Sequence, residues 1–353
     1  MSEMNEDSMQ APSEGTGEET VENFFIDILT GEKVKESPKK LLIQKVLRTL
    51  IESYGFDRSD LEVNYNPRIP GHRQKRIDIA IFRSGREHIN ENLERIIICR
   101  NQTSQDRLRT FSEADHDLEQ LRELMRLLQA VDFGMWTNGQ EEFILQAEHT
   151  RFEVRLKPIA IWPVPGEQLG DLNRTGGIIQ VSVEAEDLKE ALMRCHRYLN
   201  RNLGLDHKDA FKQLAVLLLA KIFDETRPPH ERNFWIRSDE PYTIEGQQEI
   251  QRRIEACIRE SRNWQPNLLT LGWNLELEPQ HTARVVMELA RYSLSETQPR
   301  YRTQAFRAIV RSVMDGREGR YPTPLNVAEM AVQMLNPQLR NVYSIVQAVQ
   351  GLF

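Results

Sequence analysis

Strand patterns fill the first half of this 353-residue chain and stop at about Glu184, after which only helical periodicity remains. A chain that changes its hydrophobic period in this way is expected to build two packing layers of different kind, and its length allows a core for each. Upstream, Pro38 opens a helix with Leu41, Leu42, Val46, Leu50 and Tyr54 on one face, and Gly55 closes it. Leu61–Asn66, Ile77–Phe82 and Glu94–Cys99 read as strands, the last with a buried-looking Ile96-Ile97-Ile98 run. A polar helix is expected from about Glu113 to Ala130, striped by Leu118, Leu121, Met125 and Leu128. Phe133-Gly134-Met135-Trp136, an Asn138-Gly139 turn and Phe143–Gln146 then spell a hairpin. Pro163-Val164-Pro165-Gly166 and Gly176-Gly177 punctuate a linker. Asp187–Asn202, Asp209–Glu225, Glu245–Asn263, Thr282–Leu294 and Arg302–Met314 follow as amphipathic helices, with stripes such as Leu214, Leu217, Leu218 and Ile222.

The expected division is a disordered acidic tail over 1–20, an α/β domain over 21–165 and an all-α domain over 166–320. The tail matters for charge. It holds Glu3, Glu6, Asp7, Glu14, Glu18 and Glu19 without Lys or Arg, so removing these six from the net charge of −7 leaves a body at −1. A nearly neutral body with local basic clusters is compatible with nucleic-acid binding through a patch. Cys99, Cys195 and Cys257 form no CxxC pair, which argues against a disulfide framework or a structural zinc site. His196 follows Cys195, but neighbours on a helix diverge by about 100°, so both read as packing or surface residues. No apolar stretch is long enough for a membrane span and Met1–Thr20 has no signal core, so a cytoplasmic location is expected, with no membrane partner.

Asp78 in Lys75-Arg76-Ile77-Asp78-Ile79-Ala80-Ile81 follows a helix bearing Gln44 and precedes the Ile96-Ile97-Ile98-Cys99-Arg100 strand. A helix with Gln120 and the Trp136-Thr137-Asn138-Gly139 turn complete the order. The stretch from about Phe25 to Ile161 thereby resembles the N-terminal nuclease-like domain of type I restriction endonuclease R subunits, with its Arg-x-Asp strand, Glu-x-Lys strand, Gln-bearing helix and Thr-Asn-Gly turn. The resemblance implies two carboxylates holding a divalent cation against a phosphate, beside a lysine. Asp78 supplies the first carboxylate, but Ile98 stands at the second and Arg100 at the lysine. Isoleucine cannot ligate a hard cation and arginine is a fork rather than a point charge, so no metal is expected and no cleavage. Arg68, His72, Arg73, Lys75 and Arg76 cluster before the Asp78 strand as candidate contacts to double-stranded DNA. The plainer reading is a solvated basic loop, with Asp78 paired to Arg76 or Arg100.

A second resemblance covers about Leu188 to Pro337. Cys195-His196-Arg197-Tyr198-Leu199-Asn200, Phe211-Lys212-Gln213-Leu214 and Lys221-Ile222-Phe223-Asp224-Glu225 are similar to the helical N-terminal domain of type I modification subunits, which are adenine-N6 DNA methyltransferases. Tyr321-Pro322-Thr323-Pro324 and Val327–Val332 resemble the segment that forms one wall of that family's S-adenosylmethionine pocket, with Thr323 and Pro324 at the wall and Pro322 replacing an aromatic residue. Residues 321–337 would then begin a Rossmann-like methyltransferase domain. The family's glycine loop and its catalytic Asn-Pro-Pro-aromatic loop do not follow, and residues 338–353 carry an unrelated tail. Shifting the reading frame near Gln338–Arg340 permits a Val-Leu-Asp strand and Gly-Thr-Gly loop, which makes a frameshift the expected origin of the tail. S-adenosylmethionine is accordingly expected to bind an intact relative, and this chain poorly.

These features lead to a DNA-binding fragment of a type I-like restriction–modification methyltransferase, inactive alone, with a specificity or restriction subunit as a further partner. Two alternatives stand beside it. One is a metal-dependent endonuclease using a displaced carboxylate such as Glu94, about 13 Å along the strand from the expected position. The other is a regulatory protein that binds DNA or another subunit.

Overall fold

The computed structural model describes residues 23–72, 75–101, 108–167, 185–264 and 274–314. The acidic tail over 1–20, the segment 321–337 and the tail 338–353 therefore lie outside the described residues, as do Arg73, Thr323 and Pro324.

A short antiparallel pair, β1 (Phe24–Ile26) and β2 (Lys33–Lys35), leads into α1 (Pro38–Glu52). Pro38 sits in the first helical turn, where its missing N–H is not needed, and Ser37 accepts a hydrogen bond from the Lys40 N–H. Six further strands form one sheet in the order β3 (Leu61–Tyr65), β4 (Ile77–Phe82), β5 (Leu93–Cys99), β6 (Phe133–Thr137), β7 (Glu142–His149) and β8 (Val154–Ile159). All neighbours are antiparallel except β5 and β6. That parallel pair needs a crossover, and α2 (Glu119–Leu127) lies within it. The central strands β4 and β5 are near-continuous apolar runs because both faces are covered. Ile43, Leu47 and Leu50 of α1 pack with Ile79, Ile97 and Met135 on one side. Leu121, Leu124 and Met125 of α2 pack with Ala80, Ile96, Ile98 and Trp136 on the other. Gly134 lets α2 approach, since a Cβ there would lie 2.5 Å from Met125 Sδ and 2.8 Å from Leu121 Cδ1.

The sequence reading places α2 too early. Residues 111–118 form turns rather than helix, because Glu113 bonds back to the Thr110 N–H at 2.7 Å and Asp117 is drawn to Arg109 at 2.7 Å. Ala114 and Leu118 are nevertheless buried, so the apolar rhythm survives without helical geometry. The edge strand β8 carries Pro158, which suits an edge and hides the strand from sequence reading.

From Ala185 the described residues hold no further strand. The helices are α3 (Ala185–Leu203), α4 (His207–Glu225), α5 (Ile244–Trp264), α6 (Pro279–Ala290) and α7 (Pro299–Met314). Their shared core includes Leu192, Leu199, Leu214, Leu217, Ile254 and Val286. Helix α6 ends before the expected Leu294, because Glu225 takes the N–H groups of Leu294 and Ser295 at 3.1 and 2.5 Å. Buried ion pairs hold these helices: Arg194 of α3 to Glu288 of α6 at 2.7 Å, and Lys221 to Glu225 within α4 at 2.8 Å. His196 is buried with its ring on the His207 carbonyl at 3.0 Å, and Cys99, Cys195 and Cys257 are free and buried. No helix among the described residues is long and apolar enough to cross a membrane.

The two layers are docked by polar groups. Arg109, just before the crossover helix, pairs through Nε with Glu141 at 2.9 Å and through Nη1 with Asp117 at 2.7 Å. Arg284 of α6 donates twice to the Arg109 carbonyl at 2.9 and 3.2 Å, and Arg291 pairs with Glu142. Ala160 N donates to Ser238 O at 2.7 Å, and the Tyr242 ring meets Phe111 edge-on at 5.4 Å. Burial pushes the Tyr242 phenol up to about 12, so it stays a donor, here to the Ile159 carbonyl at 3.4 Å. Replacing Arg109 by Met leaves the buried Glu141 carboxylate without its cation. The expected loss is about 3 kcal/mol in urea unfolding; a loss below about 1 kcal/mol would show that the pair does not hold this junction.

Candidate functional site

The site lies where the N-terminal end of β4 meets the C-terminal end of β5. Asp78 is buried at 2% exposure, second in its strand. Its Oδ2 accepts the Cys99 backbone N–H at 2.8 Å, a bond taken from the sheet ladder itself. Its Oδ1 lies 2.6 Å from Nζ of Lys39, which the first turn of α1 carries across the end of the sheet. Arg100 Nη1 is 3.8 Å from Oδ2, a longer ionic contact. The principal partner of Asp78 is thus Lys39, rather than Arg76 or Arg100. Nothing in sequence spacing ties residue 39 to residue 78, and the pairing exists only because α1 is laid over β4.

Ile98 is fully buried in the core beneath α2, on the same face as Ala80 and Ile96. Arg100 leaves the strand end, its N–H bonded to the Thr137 carbonyl at 2.9 Å. Its guanidinium donates to Gln120 Oε1, and Gln120 Nε2 donates to the Arg76 carbonyl at 3.2 Å. Asp78, Arg100 and Gln120 are therefore brought together, with Lys39 added. Gln44 is not among them: it binds Asp27 at 2.7 Å and the Ile28 N–H at 2.9 Å. The adjacent Cys99 thiol is pushed up to about 12, first by burial and then by the Asp78 charge, so it is no nucleophile.

The residues present do not fit a divalent cation. One carboxylate is here, Ile98 is buried in the core under α2, and an ammonium group sits on a carboxylate oxygen. Among the described residues no group of three His, Cys, Asp or Glu side chains could hold a metal ion. Glu94 does not repair this. It lies at the start of β5, near Arg95 at 3.4 Å, with its carbonyl bonded to Asp132 N, while Asp78 meets the far end of that strand. The displaced-carboxylate reading is corrected by that separation.

Of the basic loop, Arg68 and Arg76 have exposed side chains, whereas Lys75 is paired with Glu123 of α2 and partly neutralised. The mouth of the site thus presents Lys39, Arg76 and Arg100 around a carboxylate whose charge is already balanced, whereas the Arg68 carbonyl is held by Asn90 Nδ2 at 2.8 Å, near the start of β5.

The Thr137–Glu141 turn closes the other side. Thr137 Oγ1 donates to Glu141 O at 2.9 Å and accepts the Gly139 N–H at 3.0 Å, and Asn138 Oδ1 accepts the N–H groups of Gln140 and Glu141 at 3.0 and 2.8 Å. Gly139 has φ +89° and its missing Cβ would sit 2.8 Å from Leu42 Cδ1. Gly139→Ala is expected to cost about 1–3 kcal/mol in thermal or urea unfolding; an unchanged midpoint would show that the turn relaxes freely.

Residues 40–159 match the family model described as Type I restriction enzyme R protein N terminus (HSDR_N). The match spans about a third of the chain, takes in Asp78, Ile98, Arg100, Gln120 and the turn, and stops at the end of β8. Comparison with curated proteins gave no match.

Proposed function

We propose that this chain is a DNA-binding component of a type I-like restriction–modification system, in which the nuclease-like layer holds duplex DNA and does not cut it. The observation that carries the reading is the Lys39 ammonium on Asp78. A cation supplied by the protein itself replaces the metal, so the phosphate-facing charge is retained while the Lewis acid and the means of activating water are lost. Lys39, Arg76, Arg100 and Arg68 supply the backbone contacts, with double-stranded DNA as the partner.

The helical layer is proposed to correspond to the N-terminal helical part of an adenine-N6 DNA methyltransferase. What supports this is the resemblance over Cys195–Asn200 and Lys221–Glu225, carried on α3 and α4, and the absence of strands among the described residues after Ala185. In that reading an intact relative takes S-adenosylmethionine against a wall at Thr323 and Pro324, this chain alone transfers no methyl group, and a specificity or restriction subunit docks on it.

The full chain is expected to shift a duplex oligonucleotide equally well in EDTA and in magnesium or manganese. It should leave supercoiled plasmid intact and incorporate no label from S-adenosylmethionine. Lys39→Gln with Arg100→Gln should weaken binding about tenfold and flatten its salt dependence. Metal-dependent nicking would overturn the nuclease-layer reading, and methylation by this chain would overturn the account of the helical layer.

A further inference from the structure

Helix α7 differs from the other surfaces of the molecule in its charge. Between Pro299 and Met314 it carries Arg300, Arg302, Arg307 and Arg311 and no Asp or Glu, in a chain whose net charge is −7. Some surface arginines elsewhere are answered by acids, such as Arg252 with Glu249 at 2.8 Å and Arg122 with Asp115 at 2.5 Å. Along α7 the positions 300, 303, 304, 307 and 311 fall on one helical stripe. The other stripe, Ala305 and Ile309, is buried in the helical core. The polar stripe of α7 and Lys189 of α3 line a cleft of roughly 590 Å³, formed by Lys189, Arg300, Thr303, Gln304, Arg307 and Arg311. Among the described residues, Lys189 lies 4.0 Å from Glu190.

We propose that this cleft is a second seat for the phosphodiester backbone of duplex DNA, separate from the Asp78 site. At 1.5 Å rise per residue, Arg300, Arg307 and Arg311 stand about 10 and 6 Å apart along the helix. Those intervals match the rise of about three and about two nucleotides of one strand. Thr303 and Gln304 lie between them and supply neutral donors, the mixture that phosphate contacts use. No aromatic side chain lines the cleft itself, and the ring of the neighbouring Tyr301 is covered by the Arg300 guanidinium at 4.6 Å, which favours a duplex over a single strand. It holds no large apolar anchor of the kind that lipid surfaces or protein partners need. The two seats also share a corner. Lys45 of α1 pairs with Asp187 at 2.8 Å, two residues before Lys189, and Lys39 lies in the first turn of the same α1.

The test uses the full chain and a duplex oligonucleotide, with affinity followed by fluorescence anisotropy across a salt series. Arg307→Gln with Arg311→Gln is expected to weaken binding about tenfold on any sequence and to make the log–log salt slope shallower by about 2. Arg307→Lys with Arg311→Lys should restore both, and Arg252→Gln, on the exposed side of α5, should change neither. Circular dichroism guards against misfolding, since Arg307 is half-buried and Arg311 exposed. An unchanged slope in the α7 variant, or tighter binding of polyglutamate than of the duplex, overturns the proposal. If Lys39→Gln with Arg100→Gln weakens binding and the α7 variant does not, the nuclease-layer reading stands and this one falls. The reverse pattern keeps this one and sinks the other.

Discussion

A guanidinium buried at 4% exposure sits at the junction of everything described above. Arg109 faces Glu141 and Asp117 with its charge, while its own carbonyl is gripped by Arg284. Removing such an ion from water is costly, and the cost is met only because several oxygens converge on it. Those oxygens come from the turn after β6 and from the approach to α2, and the gripping hand comes from α6. One residue therefore fixes the crossover between the parallel strands, the turn that borders the site, and the seating of the helical layer on the sheet. A hydrophobic contact could hold these parts together, but it would not fix their register to a fraction of a residue.

The same economy shapes the site. In a low-dielectric sheet a lone carboxylate needs a partner, and the second carboxylate position is aliphatic. The partner comes from outside the sheet, on a flexible lysine stem from α1, and a backbone N–H takes the remaining oxygen. The outcome is a neutralised acid framed by cations.

How much of this was legible in the sequence depends on the range of the interaction. Ile77–Phe82 and the Asn138-Gly139 turn are fixed by neighbours in the chain, and they stand where the local pattern puts them. The first turn of the expected crossover helix does not form, because Asp117 and Glu113 are claimed by Arg109 and Thr110, and only the fold brings Arg109 to its other partner, Glu141. Asp78, Arg100 and Gln120 could be marked by their order along the chain. Lys39 could not, because its role depends on how α1 crosses the sheet end. The pairing of Lys75 with Glu123 likewise lowers the charge of a loop that reads as uniformly basic.

The lysine on Asp78 constrains what a substitution nearby could do. Placing a carboxylate at position 98 would not by itself create a metal centre, because the acid would find an ammonium and a guanidinium already seated at Asp78. The charge balance at Asp78 is held from two different elements, by Lys39 of α1 and by Arg100 beyond β5. A metal centre here would require concerted change at residues on separate elements.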